Sequence, residues 1–319
     1  MDPQIADTVD QARSRVTVWI RPDTPERYRT MLPAGVEIHE LPPPDGQDRV
    51  GPAEFVVADF NRQGFLEVLP RLDGVKVVQT MSAGVDDLIG HIPDGVTLCD
   101  AAGVHDASVA DWTVMAILAM YRRFPDLVAA QLDAAWRRPD FRQLRDLDGL
   151  SVLIVGYGSI GRAVESRLAP FGVTVRRVAR TAREGVSDAA ELPKLLPDAD
   201  VVVILLPLTP GTERFVGEKF LASMRQGALL VNPARGRLVD TDALMRALEQ
   251  RRVRAALDVT EPEPLPDGHP LWKMDGVLIT PHIAGSVAGA YERAWRLVAD
   301  QVRRYVTGEP LLNIVKDGY

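Results

Sequence analysis

A glycine run, Gly156-Tyr157-Gly158-Ser159-Ile160-Gly161, stands between the apolar stretch Ser151-Val152-Leu153-Ile154-Val155 and a helical pattern that begins near Ser159. The order strand, glycine turn, helix restricts what this chain can fold into more than any other feature. The first glycine permits a tight turn, the second lets a pyrophosphate approach the backbone, and the third lets the helix pack closely on the strand. Ser159 and Ile160 open that helix, whose first N–H groups and partial positive charge suit phosphate. Glycine patterns alone occur in many surface turns. With a strand before it and a helix after it, this one reads as a dinucleotide-binding turn.

The turn sits in a chain of 319 residues, long enough that two domains are expected. Strand-like apolar runs alternate with helical patterns almost throughout, the mark of α/β architecture with parallel sheets. One set of runs covers 16–20, 36–39, 55–58, 75–79 and 96–98; a second covers 152–155, 173–178, 201–206, 228–232, 255–259 and 277–280. The second set reads as fully apolar, as expected of strands covered on both faces. The glycine turn opens this second set, which is therefore the dinucleotide-binding domain. Two long helical patterns, 106–123 and 286–305, fall where the chain would pass between domains. The simplest arrangement builds one domain from the N-terminal third plus the last residues, 310–315, and inserts the other between. Reacting groups would then lie in a cleft between the domains.

Composition removes several classes of function. A formal net charge of −7 and the lack of a dense Lys/Arg block argue against nucleic acid as a partner. Cys99 is the single cysteine, read as a buried small hydrophobe, so no disulfide framework is expected. The stretch Met1 to Arg15 is polar and acidic, unlike a signal peptide, and no apolar run is long enough to span a bilayer. A cytoplasmic protein without a membrane partner is the expectation. No His/Cys/Asp cluster has metal-ligand spacing, and no G-x-S-x-G elbow occurs.

An NAD-preferring fold places Asp or Glu about 20 residues past the glycines, to bind the ribose 2′-hydroxyl. Here Ala179 stands 18 residues beyond Gly161, followed by Arg180, Thr181 and Arg183. Guanidinium and hydroxyl groups without an acid at the strand end suit a 2′-phosphate, so NADP(H) is favoured, with NAD(H) the alternative. Three further strand ends carry polar residues: Asn232-Pro233-Ala234-Arg235-Gly236-Arg237, Asp258-Val259-Thr260-Glu261-Pro262-Glu263-Pro264, and Pro281-His282-Ile283-Ala284-Gly285-Ser286. Ligands of open α/β sheets bind outside the carboxyl ends of the strands. An Arg, a carboxylate and a His converging there suit reduction of a 2-keto acid. The guanidinium holds the substrate carboxylate, the imidazolium supplies a proton, and the acid keeps the ring protonated. His39, His91, His105 and His269 lack such company and read as surface or loop residues.

These segments, with Gln79-Thr80-Met81-Ser82-Ala83-Gly84-Val85-Asp86 and Leu206-Pro207-Leu208-Thr209-Pro210-Gly211-Thr212, resemble the D-isomer-specific 2-hydroxyacid dehydrogenases from about Val75 to Asn313. The resemblance implies two doubly wound parallel-sheet domains, a Rossmann cofactor domain (105–287) inserted into a flavodoxin-like substrate domain (1–104 and 288–319). It also implies a homodimer through the cofactor domains. By the family pattern Arg235 binds substrate and cofactor, and Glu263, five positions after Asp258, pairs with the acid–base His282. Asp258 then lies by the nicotinamide amide. Leu206, Pro207, Thr212, Ala234, His282 and Gly285 line the cofactor, and the loop Ser82, Ala83, Gly84 holds the substrate carboxylate through its N–H groups. Met81 and Trp295 would set pocket size. The segment Asp258 to Leu271 looks most like the glyoxylate and hydroxypyruvate reductases. Formate or phosphite oxidation on the same fold, and a corepressor-like nucleotide sensor, are the alternatives. Two departures are Asp111 in the family's Val-Ala-Glu position and a first fifty residues without a match; the loop Asp59-Phe60-Asn61 is read as facing the substrate.

Overall fold

The structure is a computed structural model that describes residues 15–60 and 62–316. Nearly all of the N-terminal stretch read for a signal peptide, and Asn61, lie outside the described residues. The chain divides into two compact units, Met1–Val104 with Tyr291–Tyr319, and His105–Ala290.

The first unit is built on β1 (Thr17–Ile20), β2 (Glu37–Glu40), β3 (Phe55–Ala58), β4 (Val77–Thr80) and β5 (Thr97–Cys99), all parallel, in the order β2-β1-β3-β4-β5. That order is flavodoxin-like, with its reversal between β1 and β3. Strand side chains alternate between two cores because successive Cβ atoms point to opposite faces. Val18, Ile20, Phe55 and Val57 pack with Trp295, Val298 and Val302 of the helix Ala288–Thr307. Trp19, Val56, Ala58 and Val78 pack on the other face with Phe65, Val68 and Leu69. β2 is an edge strand and mostly exposed. Beyond the helix the chain returns to β5, where Val315 N–H donates to Leu98 O at 2.9 Å and Asp100 N–H to Asn313 O at 3.0 Å. Gln301, fully buried, secures that return by donating to Gln79 Oε1 (2.8 Å) and Leu312 O (2.9 Å). Cys99 lies in this core, and burial pushes its thiol up to about 11.

The second unit is built on β6 (Ser151–Val155), β7 (Thr174–Val178), β8 (Val201–Ile204), β9 (Ala228–Asn232), β10 (Val253–Leu257) and β11 (Val277–Ile279). They form one parallel sheet, β11-β10-β9-β8-β6-β7. A parallel bridge between Val178 and Ser187 sets a remnant of one more strand outside β7. With that remnant the order is the Rossmann one, and its reversal falls between β6 and β8, where the glycine turn leaves the sheet. β6, β8 and β9 are buried on both faces, but β7 and β11 are not. The expectation of a uniformly covered second set therefore fails at its edges, where β7 carries Arg176 and Arg177. β8 also ends at Ile204 rather than 206, because Leu205 and Leu206 turn to pass against Gly156.

The two long helical patterns belong to different cores. Helix Asp106–Tyr121 is buried on almost every side in the second unit, with Trp112, Ile117 and Met120 packed beside Val164 and Leu168. Asp111, the departure from the family pattern, pairs with Arg167 of the neighbouring helix Ser159–Leu168. Helix Ala288–Thr307 contributes Ala294, Trp295, Val298 and Val302 to the first unit. Among the described residues no helix is long and apolar enough to cross a membrane.

Candidate active site

The glycine turn has different physical demands at its three positions. Gly156 has φ +103°, and a Cβ there would lie 2.5 Å from the Leu205 carbonyl carbon. At Gly161 a Cβ would meet Gly156 O at 3.0 Å and the Tyr157 ring at 3.2 Å, so this glycine sets how closely helix and strand pack. At Gly158 no atom of the described residues beyond its chain neighbours lies within 4 Å of a Cβ position. The protein thus has no steric need of its own for glycine at 158, which fits a phosphate passing close to that backbone. Helix Ser159–Leu168 begins there without a side-chain cap, leaving its dipole and first N–H groups for an anion.

At the end of β7 the chain runs through Ala179, Arg180 and Thr181 into a tight turn closed by reciprocal backbone bonds between Arg183 and Val186. Arg180 and Thr181 are exposed. Arg183 folds back, donating to Tyr157 O at 2.6 Å in the glycine turn, with its guanidinium 5.8 Å from the Tyr157 ring. Arg177 lies 5.6 Å from the same ring and pairs with Glu165, which also accepts from the Tyr157 hydroxyl. Glu184, which the sequence reading passed over, is an exposed carboxylate within the turn. After β8, Thr212 spends its hydroxyl inside its own loop. It donates to Pro207 O at 2.6 Å and accepts from Thr209 N–H at 2.8 Å, which shapes the Leu206-Pro207 corner.

The three remaining strand ends lie level because Leu257 pairs with Asn232 on one side and Ile279 on the other. Asp258, 1% exposed, follows β10 and organises the neighbouring loop. Its carboxylate accepts from Thr280 Oγ1 (2.5 Å), Ile283 N–H (2.9 Å) and Ala284 N–H (2.7 Å), while its carbonyl accepts from His282 N–H (2.7 Å). Trp112 Nε1 donates to Thr280 Oγ1 at 3.0 Å and fixes the far end of this chain of bonds. His282 takes a left-handed backbone, φ 54°, within that clamp. Its Nδ1 meets Glu263 Oε1 at 2.5 Å. This hydrogen bond holds the imidazole above its ordinary pKa; burial and the Arg235 charge pull the other way. The loop bearing Glu263 is anchored by Thr241 Oγ1 on Glu261 O (2.7 Å) and by Thr260 Oγ1 on Pro262 O (2.9 Å). Arg235 follows β9, half-buried, in a turn braced by Asn232, whose amide donates to Arg235 O at 2.8 Å and accepts from Ala234 N–H at 3.1 Å. Asp240, five residues on, pairs with Arg214 at 2.6 Å and caps the helix Thr241–Glu249. His282 thus has a carboxylate behind its ring and the Arg235 charge acting on it, a set of groups chemically able to move a proton beside an anion.

In the first unit, Ser82, Ala83 and Gly84 form a half-buried turn after β4. Met81 and Trp295, read from sequence as setting pocket size, are core residues at 0% and 1% exposure, in the cluster with Phe55. Two residues escaped the sequence reading. His105, which sequence reads as a surface or loop residue, brings Nδ1 to 3.2 Å from Gly285 O, and a Cβ at Gly285 would lie tightly against that nitrogen, at 3.1 Å. Arg62 donates to the Ser82 hydroxyl at 2.5 Å. Neither has a motif around it that sequence could flag.

A family model for the NAD binding domain of the D-isomer specific 2-hydroxyacid dehydrogenases matches residues 114–284. A glyoxylate reductase of Thermofilum pendens is 36% identical over 258 residues, covering 76% of this chain and 75% of the relative. A D-3-phosphoglycerate dehydrogenase of Methanocaldococcus jannaschii is 31% identical over 279 residues, 84% of this chain, which spans about half (52%) of that relative's length. Among solved structures, the D-isomer specific 2-hydroxyacid dehydrogenase of Xanthobacter autotrophicus Py2, in complex with NADPH and MES, is similar with a TM-score of 0.81. It is 31% identical, over 96% of this chain and 100% of that one. The NADPH-dependent glyoxylate/hydroxypyruvate reductase of Sinorhizobium meliloti, in complex with NADP and sulfate, has a TM-score of 0.82 at 26% identity, over 95% and 100% of the two chains.

Proposed function

The chain belongs to the D-isomer specific 2-hydroxyacid dehydrogenase family, and from that premise we propose that it is an NADP(H)-preferring reductase of small 2-keto acids, of the glyoxylate and hydroxypyruvate type. The observation that carries this reading is the His282–Glu263 hydrogen bond, on a loop clamped by a buried Asp258. Glu263 stabilises the protonated ring, so His282 can deliver a proton from Nε2 to the oxygen of a keto group. Arg235 binds the substrate carboxylate and polarises the ketone, and in the first unit the N–H groups around Ala83 and Gly84 form a carboxylate-binding turn. The glycine turn, with Ser159, Ile160 and Gly161, would hold a dinucleotide pyrophosphate, and Leu206, Pro207, Thr212, Ala234, Asp258 and Gly285 would border the rest. A nicotinamide bound there supplies the hydride. Arg180, Thr181 and Arg183, without an acid at Ala179, support a 2′-phosphate. Two solved relatives hold NADPH or NADP.

The same reading includes a homodimer formed through the second unit. In the segment from Phe124 to Phe141, Leu132, Trp136 and Phe141 are 82%, 98% and 76% exposed, an apolar ridge that a second copy would cover. The deciding experiment is a panel of glyoxylate, hydroxypyruvate, pyruvate, phenylpyruvate, formate and phosphite with each nucleotide, followed by nucleotide absorbance. Glyoxylate or hydroxypyruvate with NADPH should give the highest kcat/KM. Turnover of formate or phosphite alone would replace this reading.

A further inference from the structure

Arg62 opens the helix Arg62–Val68, yet its guanidinium, 15% exposed, turns toward the loop that follows β4. Nη2 donates to Ser82 Oγ at 2.5 Å and to Gly84 O at 3.3 Å, and Nε lies 3.8 Å from Asp87 Oδ2. Ser82 Oγ in turn donates to Gly84 O at 3.1 Å. Ser82 O accepts from Thr80 Oγ1 at 2.6 Å and from Ala101 N–H at 3.1 Å. The carbonyls of Ser82 and Gly84 and the Ser82 hydroxyl are therefore all engaged from within the first unit. Among the described residues, the N–H groups of Ala83 and Gly84 enter no hydrogen bond. Successive N–H groups without internal acceptors make an anion-binding concavity, and a poorly exposed cation beside them is weakly screened.

We infer that Arg62 is a positioning residue for carboxylate recognition. By gripping the Ser82 hydroxyl and the Gly84 carbonyl it keeps the Ala83 and Gly84 N–H groups available to substrate, and its charge biases the turn toward anionic ligands. This deepens the reading above and rests on it. A guanidinium fork reaches both acceptors at once, which a lysine ammonium, a single point charge, cannot match.

Steady-state kinetics of R62M and R62K with the preferred 2-keto acid, alongside direct titration of NADPH, test the assignment. R62M should raise KM at least about tenfold, about 1.4 kcal/mol of binding, while kcat falls less than threefold and NADPH affinity is unchanged. R62K should recover part of the KM. An R62M protein with unchanged NADPH affinity and a KM within twofold of wild type overturns the inference. Should R62M not fold, S82A, which removes the gripped hydroxyl, should raise KM by roughly threefold; an unchanged KM there overturns it equally. If the wild-type chain reduces no 2-keto acid, the underlying reading and this inference fall together. If it does and the variants match it, only the role of Arg62 is lost.

Discussion

His282 is exposed enough to reach a ligand and constrained enough to hold one orientation, because its main chain, not its ring, is tied to Asp258. Its ring answers to Glu263, which raises its pKa through the Nδ1 hydrogen bond. The protonated ring is the acid form, so kcat/KM for reduction should be level at low pH and fall as pH rises through that raised value. E263Q removes the cause of the shift and should move the falling limb to lower pH, as pH–rate profiles of the two proteins would reveal. H282A should lose on the order of 10²–10⁴ in kcat, the range for a positioned acid, with NADPH affinity retained. An unmoved limb in E263Q would deny Glu263 its part.

The strand–turn–helix around Gly156 separates folding from binding within six residues. G156A introduces a Cβ 2.5 Å from Leu205 backbone at φ +103° and should lower Tm clearly. G158A meets no atom of the described residues beyond its chain neighbours within 4 Å and should melt within about a degree or two of wild type, roughly the small surface effect expected of it. Yet it should weaken NADPH binding about tenfold or more, if a phosphate passes there. Thermal melts with and without nucleotide check both halves, and equal NADPH affinity in G158A would argue against phosphate at this turn. The end of β7 is the other informative element. Joining A179D with R180A should move the ratio of kcat/KM values toward NADH by about tenfold or more, since a carboxylate repels a 2′-phosphate and accepts from a 2′-hydroxyl. A ratio that stays put would leave these arginines as a solvated loop.

Each unit closes its own parallel sheet between two apolar layers, so neither needs the other to bury its strands. Among the apolar side chains the second unit leaves exposed, Leu132, Trp136 and Phe141 are the most exposed, and Trp136 lines a recess of about 780 Å³ together with Leu127, Ala130, Gln131 and Ala134. A protruding aromatic next to a recess on the same segment suits an isologous contact. W136E should convert a dimer to a monomer in sedimentation or size-exclusion experiments, with the fold intact by circular dichroism. A wild-type chain that is already monomeric at micromolar concentration would refute the dimer.

Legibility followed range. Strands such as β3 and β9 have the boundaries their apolar runs suggest, and the glycine turn lies where expected, because steric limits and burial periodicity act over a few neighbouring residues. Edges were misread: β7 looked covered because its Val residues are visible in the chain, while its position outside β6 is not. Nothing near residues 258–264 separates Glu261 from Glu263 except family spacing; in space, Glu263 is the one hydrogen-bonded to His282. The buried task of Asp258, the contact of His105 with Gly285 and the grip of Arg62 on Ser82 join residues 20 to 180 positions apart. Local chemistry names such residue types, but their meeting depends on the register that levels β9, β10 and β11 and on the loops that fold over the strand ends.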